Sequence, residues 1–425
     1  MPVYRKPAIM SIHVPPSLRY RKFRLLWLGL AISITGSQMQ LWALFWHIRT
    51  LTDQPIALGG VGLARILPII GFSLIGGAVA DAINRRRVLF LTQTTMVLIG
   101  IALTWLTFIG KIDLWHIYLL TAIQAIAISF DLPARQAVVP NLVPNHDLPN
   151  AFSMMSIARQ VGAIVGPALS GLVIAYWGQA YTYLIDAVTY LAVILALLLM
   201  GSIPQELATG QENPVSLSAI KEGVQFILGH PIILSTMILD FFATFFSSAN
   251  TLMPIFARDV LNVGAIEYGW LSAAQSIGAM AAAVIISQMV EIRRQGPIFM
   301  GSVVAFGLAT IGFGLARTFV LAMLALVFVG ASDSVSTIIR NTIRQLQTPD
   351  YIRGRMTSVN QIFFMGGPQL GEVEAGTVAQ FFGAPFAVIT GGIGCILAVG
   401  WVVRRWSHIL AYNGDEPVRA GATAD

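Results

Sequence analysis

The chain is short of charge: 11% of its 425 residues are Asp, Glu, Lys or Arg, where a soluble domain is about a quarter charged. That shortage excludes a surface wetted on all sides, because 56% of the residues are hydrophobic and the mean hydropathy is +0.73. Cysteine is almost absent. Cys395 stands alone, so no intrachain disulfide can form. The six histidines are scattered, without an HExxH pair or a Cys/His cluster, which predicts no metal site. No GxxxxGK[ST] loop occurs either, so the sequence predicts no nucleotide-driven motor, no bound cofactor and no enzyme. The strict apolar–polar alternation of a membrane β-barrel is missing as well.

What remains is a series of long apolar runs. About twelve of them, between residues 24 and 403, reach the roughly 20 residues that cross a bilayer. Helices satisfy their backbone groups internally, so the prediction is an all-α integral membrane protein of about twelve transmembrane helices. The first run follows a basic N-terminus and is too long for a signal h-region, so it is expected to stay as an anchor. Tight hairpins join some runs on one face: Gly110 to Leu114, Trp177 to Ala180, Ala316 to Thr318 and Phe382 to Pro385. The other face holds most of the basic residues, among them Arg85–Arg87, Arg293, Arg294, Arg404 and Arg405. Only Arg49, Lys111, Arg258 and Arg317 fall on the hairpin face. The positive-inside rule then puts both termini in the cytoplasm, with the chain multi-pass in a cytoplasmic (inner) membrane. The net charge of +6 is read as topology, with the lipid bilayer as partner and no nucleic acid.

The longest polar interruption divides the runs six and six. The expected organisation is a basic segment (1–23), a first six-helix bundle (24–201), a linker with an amphipathic helix (202–230), a second bundle (231–403) and a tail (404–425). Within the linker, Leu217, Ile220, Val224 and Ile227 share one helical face, which suits a helix lying at the membrane surface. The two halves repeat. When Arg340 is set on Arg135, Pro349 meets Pro144 and Ser358 meets Ser153; Gly367, Gly371, Gly376 and Gly383 meet Gly162, Gly166, Gly171 and Gly178. Duplicated six-helix units predict two pseudo-symmetric bundles that rock about a central site.

Charge inside a bilayer is costly and faces a cavity or a partner. By position, Arg65, Arg159, Asp186, Asp240 and Glu372 are candidates for binding a proton or a substrate. Asp240 opens a phenylalanine-rich stretch, an apolar setting suited to taking up and releasing a proton; its alternative is a structural pair with an arginine. Arg65 either binds an anionic substrate or neutralises one of the acids. Asp131 and Asp333, near the basic face, are expected to pair with arginines such as Arg135 and Arg340. Gln38, Trp42, Phe45, Phe245, Asn250, Asn360, Gln361 and Phe364 are pocket candidates, in keeping with a large apolar site that carries a few polar groups.

Three stretches carry a family resemblance that covers nearly the whole chain. Gly77, Asp81, Arg85 and Arg86 fill the spacing of the loop between the second and third spans in the major facilitator superfamily, with Ala82 and Asn84 where that family has arginine and glycine. Gly162, Gly166, Pro167 and Gly171, in "GAIVGPALSG", resemble the antiporter motif of its proton-coupled exporters, with Ser170 in place of a glycine. Asp131 to Met154 is similar to the loop after span 4 in the enterobactin-exporter-like branch, which exports siderophores, macrolides and other drugs. The family's arginine within span 4 is absent. The resemblance implies the major facilitator fold, a cytoplasmic gate at Asp81, Arg85 and Arg86, and a seal at the span 5 glycines. It implies a monomeric secondary transporter that exports a small amphipathic organic compound, with a proton as coupling ion. A lysophospholipid flippase or an uncoupled or importing facilitator is the alternative.

Overall fold

The computed structural model describes residues 15–202, 217–247, 249–289, 292–349 and 352–414, the side chains of 73–82, 217–220, 249, 353, 354, 358, 362 and 365 being left out. Among these residues the chain is helical throughout. The first half comprises α1 (Arg21–Leu51), α2 (Pro55–Ala82), α3 (Arg85–Phe108), α4 (Leu114–Val138), α5 (Leu148–Trp177) and α6 (Gln179–Met200). A short helix, α7 (Leu217–Gly229), lies where the amphipathic helix is expected. The second half comprises α8 (Pro231–Phe246), the single turn α9 (Met253–Ile255), α10 (Ala265–Ser287), α11 (Gln295–Leu315), α12 (Phe319–Leu346), α13 (Arg353–Phe382) and α14 (Ala384–Arg405). α8 is continued past a break by a 3-10 turn, α9 and a π turn to Val260, so that twelve long rods result.

Ten of these rods are long and apolar enough to cross a membrane. α1 and α13 fall outside the ten although they are 31 and 30 residues long. The reason is their polar content: α1 carries Ser33, Ser37, Gln38 and Gln40, and α13 carries Gln369, Glu372 and Glu374. Each is held in place by packing against its neighbours, α1 against α5 and α6, and α13 against α8, α14 and α2.

The halves mirror each other at their turns. α5 gives way to α6 at Gly178 (φ 89°, ψ 173°), and α13 gives way to α14 at Gly383 (φ 87°, ψ 155°). Only glycine enters that region without strain, which explains a matched glycine at both ends of the repeat.

Between the halves, α2 packs on α13 and α5 packs on α10. Both crossings rest on glycine pairs close to the hairpin face. A methyl group on Gly376 would lie 3.0 Å from the Gly59 Cα, and one on Gly269 would lie 2.9 Å from the Gly171 Cα. Small residues of this kind let two backbones touch, the form of contact that holds helices together where lipid removes any hydrophobic drive. A buried apolar cluster surrounds this seam and draws on both halves, with Trp42, Phe45, Ile48 and Leu58 meeting Phe256, Tyr268, Phe313 and Ala375. Toward the basic face the clusters stay within one half. One joins Phe23, Leu30, Leu89, Met155 and Leu197; another joins Leu239, Phe299, Ile343 and Val402. The bundle is therefore sealed at the hairpin face by apolar packing, and no such cluster bridges the halves at the basic face among the described residues.

Replacing Gly178 or Gly383 by alanine is expected to cost about 1–3 kcal/mol each. A fall in the melting temperature of the purified protein in detergent checks this.

Candidate functional site

Polar side chains on several spans converge on one cavity of about 480 Å³, walled mainly by the first half and completed by Gln369 of α13. α1 supplies Ser37, Gln38 and Gln40, α2 supplies Arg65, α3 supplies Gln93, and α4 supplies Thr121, Gln124, Asp131 and Arg135. α5 adds Arg159 and Gln160, and α6 adds Tyr190. Apolar walls come from Leu41, Leu44, Val61, Ile69 and Met96.

Part of this polarity is satisfied internally. The Gln124 amide donates to Gln40 Oε1 at 2.7 Å, and the Ser37 and Tyr190 hydroxyls share a hydrogen bond of 2.9 Å. Asp131 pairs with Arg135 one turn along α4, and its other oxygen accepts from Thr92 (2.9 Å) and Gln93 (2.7 Å). The rest is unspent. Gln40 Nε2, Gln93 Oε1, Thr121 Oγ1 and Gln369 Oε1 are buried and have no hydrogen-bond partner among the described residues. Buried polar atoms are nearly always paired in native proteins, so four orphans around one cavity are groups left open to water or to a ligand.

The sequence-selected ionisable residues separate sharply. Arg65 and Arg159 both line the cavity. Glu372 lies at the crossing of α2 and α13, where its carboxylate comes within 3.2 Å of the space a Gly62 side chain would fill. Among the described residues one of its oxygens has no partner, and it feels the charge of Arg65 without forming an ion pair with it. Asp186 is fully buried away from the cavity, with neither carboxylate oxygen partnered among the described residues. Asp240 is the structural pair that the sequence left as its alternative: it is 3.0 Å from Arg340 and 3.3 Å from Arg344, two arginines of α12 as deeply buried as itself. Arg344 also donates to Asn360 Oδ1 at 2.7 Å. The pairs Asp131–Arg135 and Asp333–Arg340 form as expected.

Of the aromatic and amide candidates, only Gln38 reaches this cavity. Trp42 and Phe45 belong to the hairpin-face seal, where the Tyr268 hydroxyl donates to the Trp42 carbonyl at 2.8 Å. Phe245 stacks on Phe241, and Asn250 accepts from Gln275 at 2.8 Å. Gln361 and Phe364 are exposed. The cavity amides Gln40, Gln93, Gln124, Gln160 and Gln369 were missed. Their signal was available, since an amide inside a 20-residue apolar run is nearly as anomalous as a charge.

The two motifs take different roles. Gly162 and Gly166 pack on α1 at Ile34 and Thr35, whereas Gly171 packs on α10 of the other half. Pro167 sits inside α5, and the Ser170 hydroxyl donates to the Met39 carbonyl at 2.9 Å. At the basic face, Arg85 donates to the Ala137 carbonyl (3.1 Å) and Arg86 to the Leu197 carbonyl (2.9 Å). These cations neutralise the negative C-terminal ends of α4 and α6, within their own half. The side chain of Asp81, and Gly77 beside it, lie outside the described side chains. On the opposite face, Arg49 of α1 reaches across to Asp259 at 2.8 Å and also pairs with Asp53, whose loop carboxyl it holds below the usual range.

Residues 13–411 match the family described as transmembrane secretion effectors. The chain is 25% identical over 401 residues to the enterobactin exporter EntS of Citrobacter koseri, covering 94% of this chain and 95% of that protein. It is 26% identical over 380 residues to the enterobactin exporter EntS of Shigella boydii, with 88% and 89% covered. Among solved structures, it is similar in fold to a bacterial homolog of the human lysosomal transporter Spinster, in an inward-facing and unoccupied conformation. That likeness has a TM-score of 0.70 at 13% identity, over 94% of this chain and 97% of the other. A POT family transporter in complex with 5-aminolevulinic acid matches with a TM-score of 0.71 at 13% identity, over 90% and 96% of the two chains.

Replacing Asp240 by asparagine leaves buried Arg344 without an acid and buried Arg340 with only the more distant Asp333, and is expected to cost about 3–5 kcal/mol. Adding Arg340→Gln and Arg344→Gln to the same chain should recover much of that loss in a thermal melt.

Proposed function

This chain belongs to the transmembrane secretion effector family, in the enterobactin-exporter-like branch of the major facilitator superfamily, and on that premise we propose that it exports a small amphipathic, siderophore-like compound by alternating access. The observation that carries this reading is the cavity with four orphaned polar atoms, set above a seam that closes one face of the bundle. With the basic face in the cytoplasm, the described state is the one that loads substrate from inside. The halves then rock about the cavity. The glycine crossings at Gly171–Gly269 and Gly59–Gly376 open, and the basic ends of the halves close. Asp81, Arg85 and Arg86 latch that second state. In the first, Arg85 and Arg86 are engaged with the carbonyl ends of α4 and α6.

Energy comes from the proton gradient, each charge crossing 100 mV being worth about 2.3 kcal/mol. Glu372 is the acid suited to carry the proton. It has a free oxygen and lies on a helix crossing that separates when the seam opens, so its access alternates between the two sides. Asp240 is occupied by its arginines, which leaves it a structural role.

Expression in a cell is expected to lower accumulation of the exported compound severalfold, with enterobactin as the first probe. A protonophore should abolish the difference, and an unchanged difference would remove proton coupling. Glu372→Gln in proteoliposomes should lose most uptake driven by an imposed pH gradient, at least tenfold, while exchange of labelled for unlabelled probe continues. A Glu372→Gln protein that still responds fully to the pH gradient excludes Glu372. Tags at both ends should be reached by an impermeant reagent only after the membrane is broken.

A further inference from the structure

The cavity is unevenly charged. Its lining contains three arginines, Arg65, Arg135 and Arg159, and one carboxylate, Asp131. Asp131 and Arg135 cancel each other as an ion pair. Arg65 makes no hydrogen bond or ion pair among the described residues, and Arg159 makes a single bond, to the Ser156 hydroxyl one turn back on its own helix at 2.9 Å. Glu372, on α13 beside the cavity, interacts with the charge of Arg65, and even when it is ionised the three arginines of the lining outnumber the two acids.

The two arginines also sit at different depths. Arg65 is ten residues from the hairpin-face end of α2 and Arg159 is eighteen from that end of α5. At 1.5 Å per residue they stand about 12 Å apart along the bundle, one near the sealed floor and one toward the open mouth. Arg159 is exposed to that mouth, and Arg65 is half-buried. On the same lining, the orphaned Gln40 Nε2 and Thr121 Oγ1 lie eleven and seven residues from the hairpin-face ends of α1 and α4, close to the level of Arg65, and both residues are at least nine-tenths buried.

We infer that the transported compound carries an anionic oxygen group, which Arg159 meets at the mouth and Arg65 binds at the floor, with the free donors Gln40 Nε2 and the Thr121 hydroxyl completing its hydrogen bonds. A planar guanidinium matches a carboxylate through two parallel N–H bonds, and lysine would supply only a point charge. A cationic amphiphile, by contrast, meets uncompensated like charge at both levels. This names the substrate class of the site proposed above and rests on that cavity being the transport site. It also means that the exported charge leaves down an inside-negative membrane potential, so voltage assists export alongside the proton.

The test uses the full chain in lipid nanodiscs and probes that differ only in charge. These are 2,3-dihydroxybenzoylserine and its methyl ester, and 1-pyrenebutyrate, its methyl ester and a pyrene-bearing primary amine of equal chain length. Each carboxylate is expected to bind at least tenfold more tightly than its ester, and the amine least well. Arg65→Gln and Arg159→Gln should each bring the carboxylate-to-ester ratio below threefold, and Arg65→Lys should keep an intermediate ratio. A ratio near one in the unaltered protein, no binding of either carboxylate, or an undiminished ratio in both glutamine variants overturns the inference. If a variant fails to fold, the ordering of carboxylate, ester and amine on the unaltered protein decides alone. Export is scored separately. Binding preference without export removes the export reading and leaves the anion site, whereas export of the esters and amine without preference does the reverse.

Discussion

Backbone meeting backbone at two crossings, Gly171 with Gly269 and Gly59 with Gly376, is the contact on which the rest of this molecule depends. Lipid tails are as apolar as leucine, so oiliness alone gives two six-helix bundles no reason to stay together. Close approach supplies van der Waals contact that lipid cannot match. It also brings Trp42, Phe45, Phe256 and Tyr268 near enough to share one core. The cavity exists because that closure is local. Near the basic face each half keeps to its own cluster, which leaves the polar spans facing water from one side.

The duplicated halves use charge differently. In the second half, Asp240 binds two arginines of α12, and the group becomes a buried strut between α8 and α12. In the first half, Asp131 forms its ion pair with Arg135 on its own helix and accepts from Thr92 and Gln93 of α3, and Arg65 and Arg159 of the cavity have no ion pair among the described residues. One copy of the ancestral unit thus stiffens its bundle with paired charge while the other offers unpaired charge to the cavity. Pseudo-symmetry in the backbone coexists with asymmetry in the chemistry.

Much of the architecture was readable before any coordinates. Apolar runs of span length gave the rods, and the register linking Gly162, Gly166, Gly171 and Gly178 to Gly367, Gly371, Gly376 and Gly383 gave the repeat. The turns at Gly178 and Gly383 explain part of that register physically, since both need a backbone region that only glycine enters freely. The site was less legible. Trp42 and Phe45 lie on α1 within a few residues of Ser37, Gln38 and Gln40, so they suited a pocket with a few polar groups as well as the seal they form. Asp240 could be placed only once α12, a hundred residues away in sequence, was known to lie against α8. Of the amides, the sequence singled out Gln38, Asn250, Asn360 and Gln361, whereas Gln93, Gln124 and Gln369 emerged only from the fold.

A seam of glycine on glycine has no side chain that can rotate to keep partial contact as the helices part. Withdrawing by even an ångström forfeits a large part of the dispersion well along the whole crossing. Such a joint resists gradual opening, because packed interfaces are bistable and do not deform continuously. On the alternating-access reading proposed above, the two faces of the bundle are governed by a snap-action hinge, and the shape of the joint itself disfavours a state with both ends ajar, which would leak ions across the membrane.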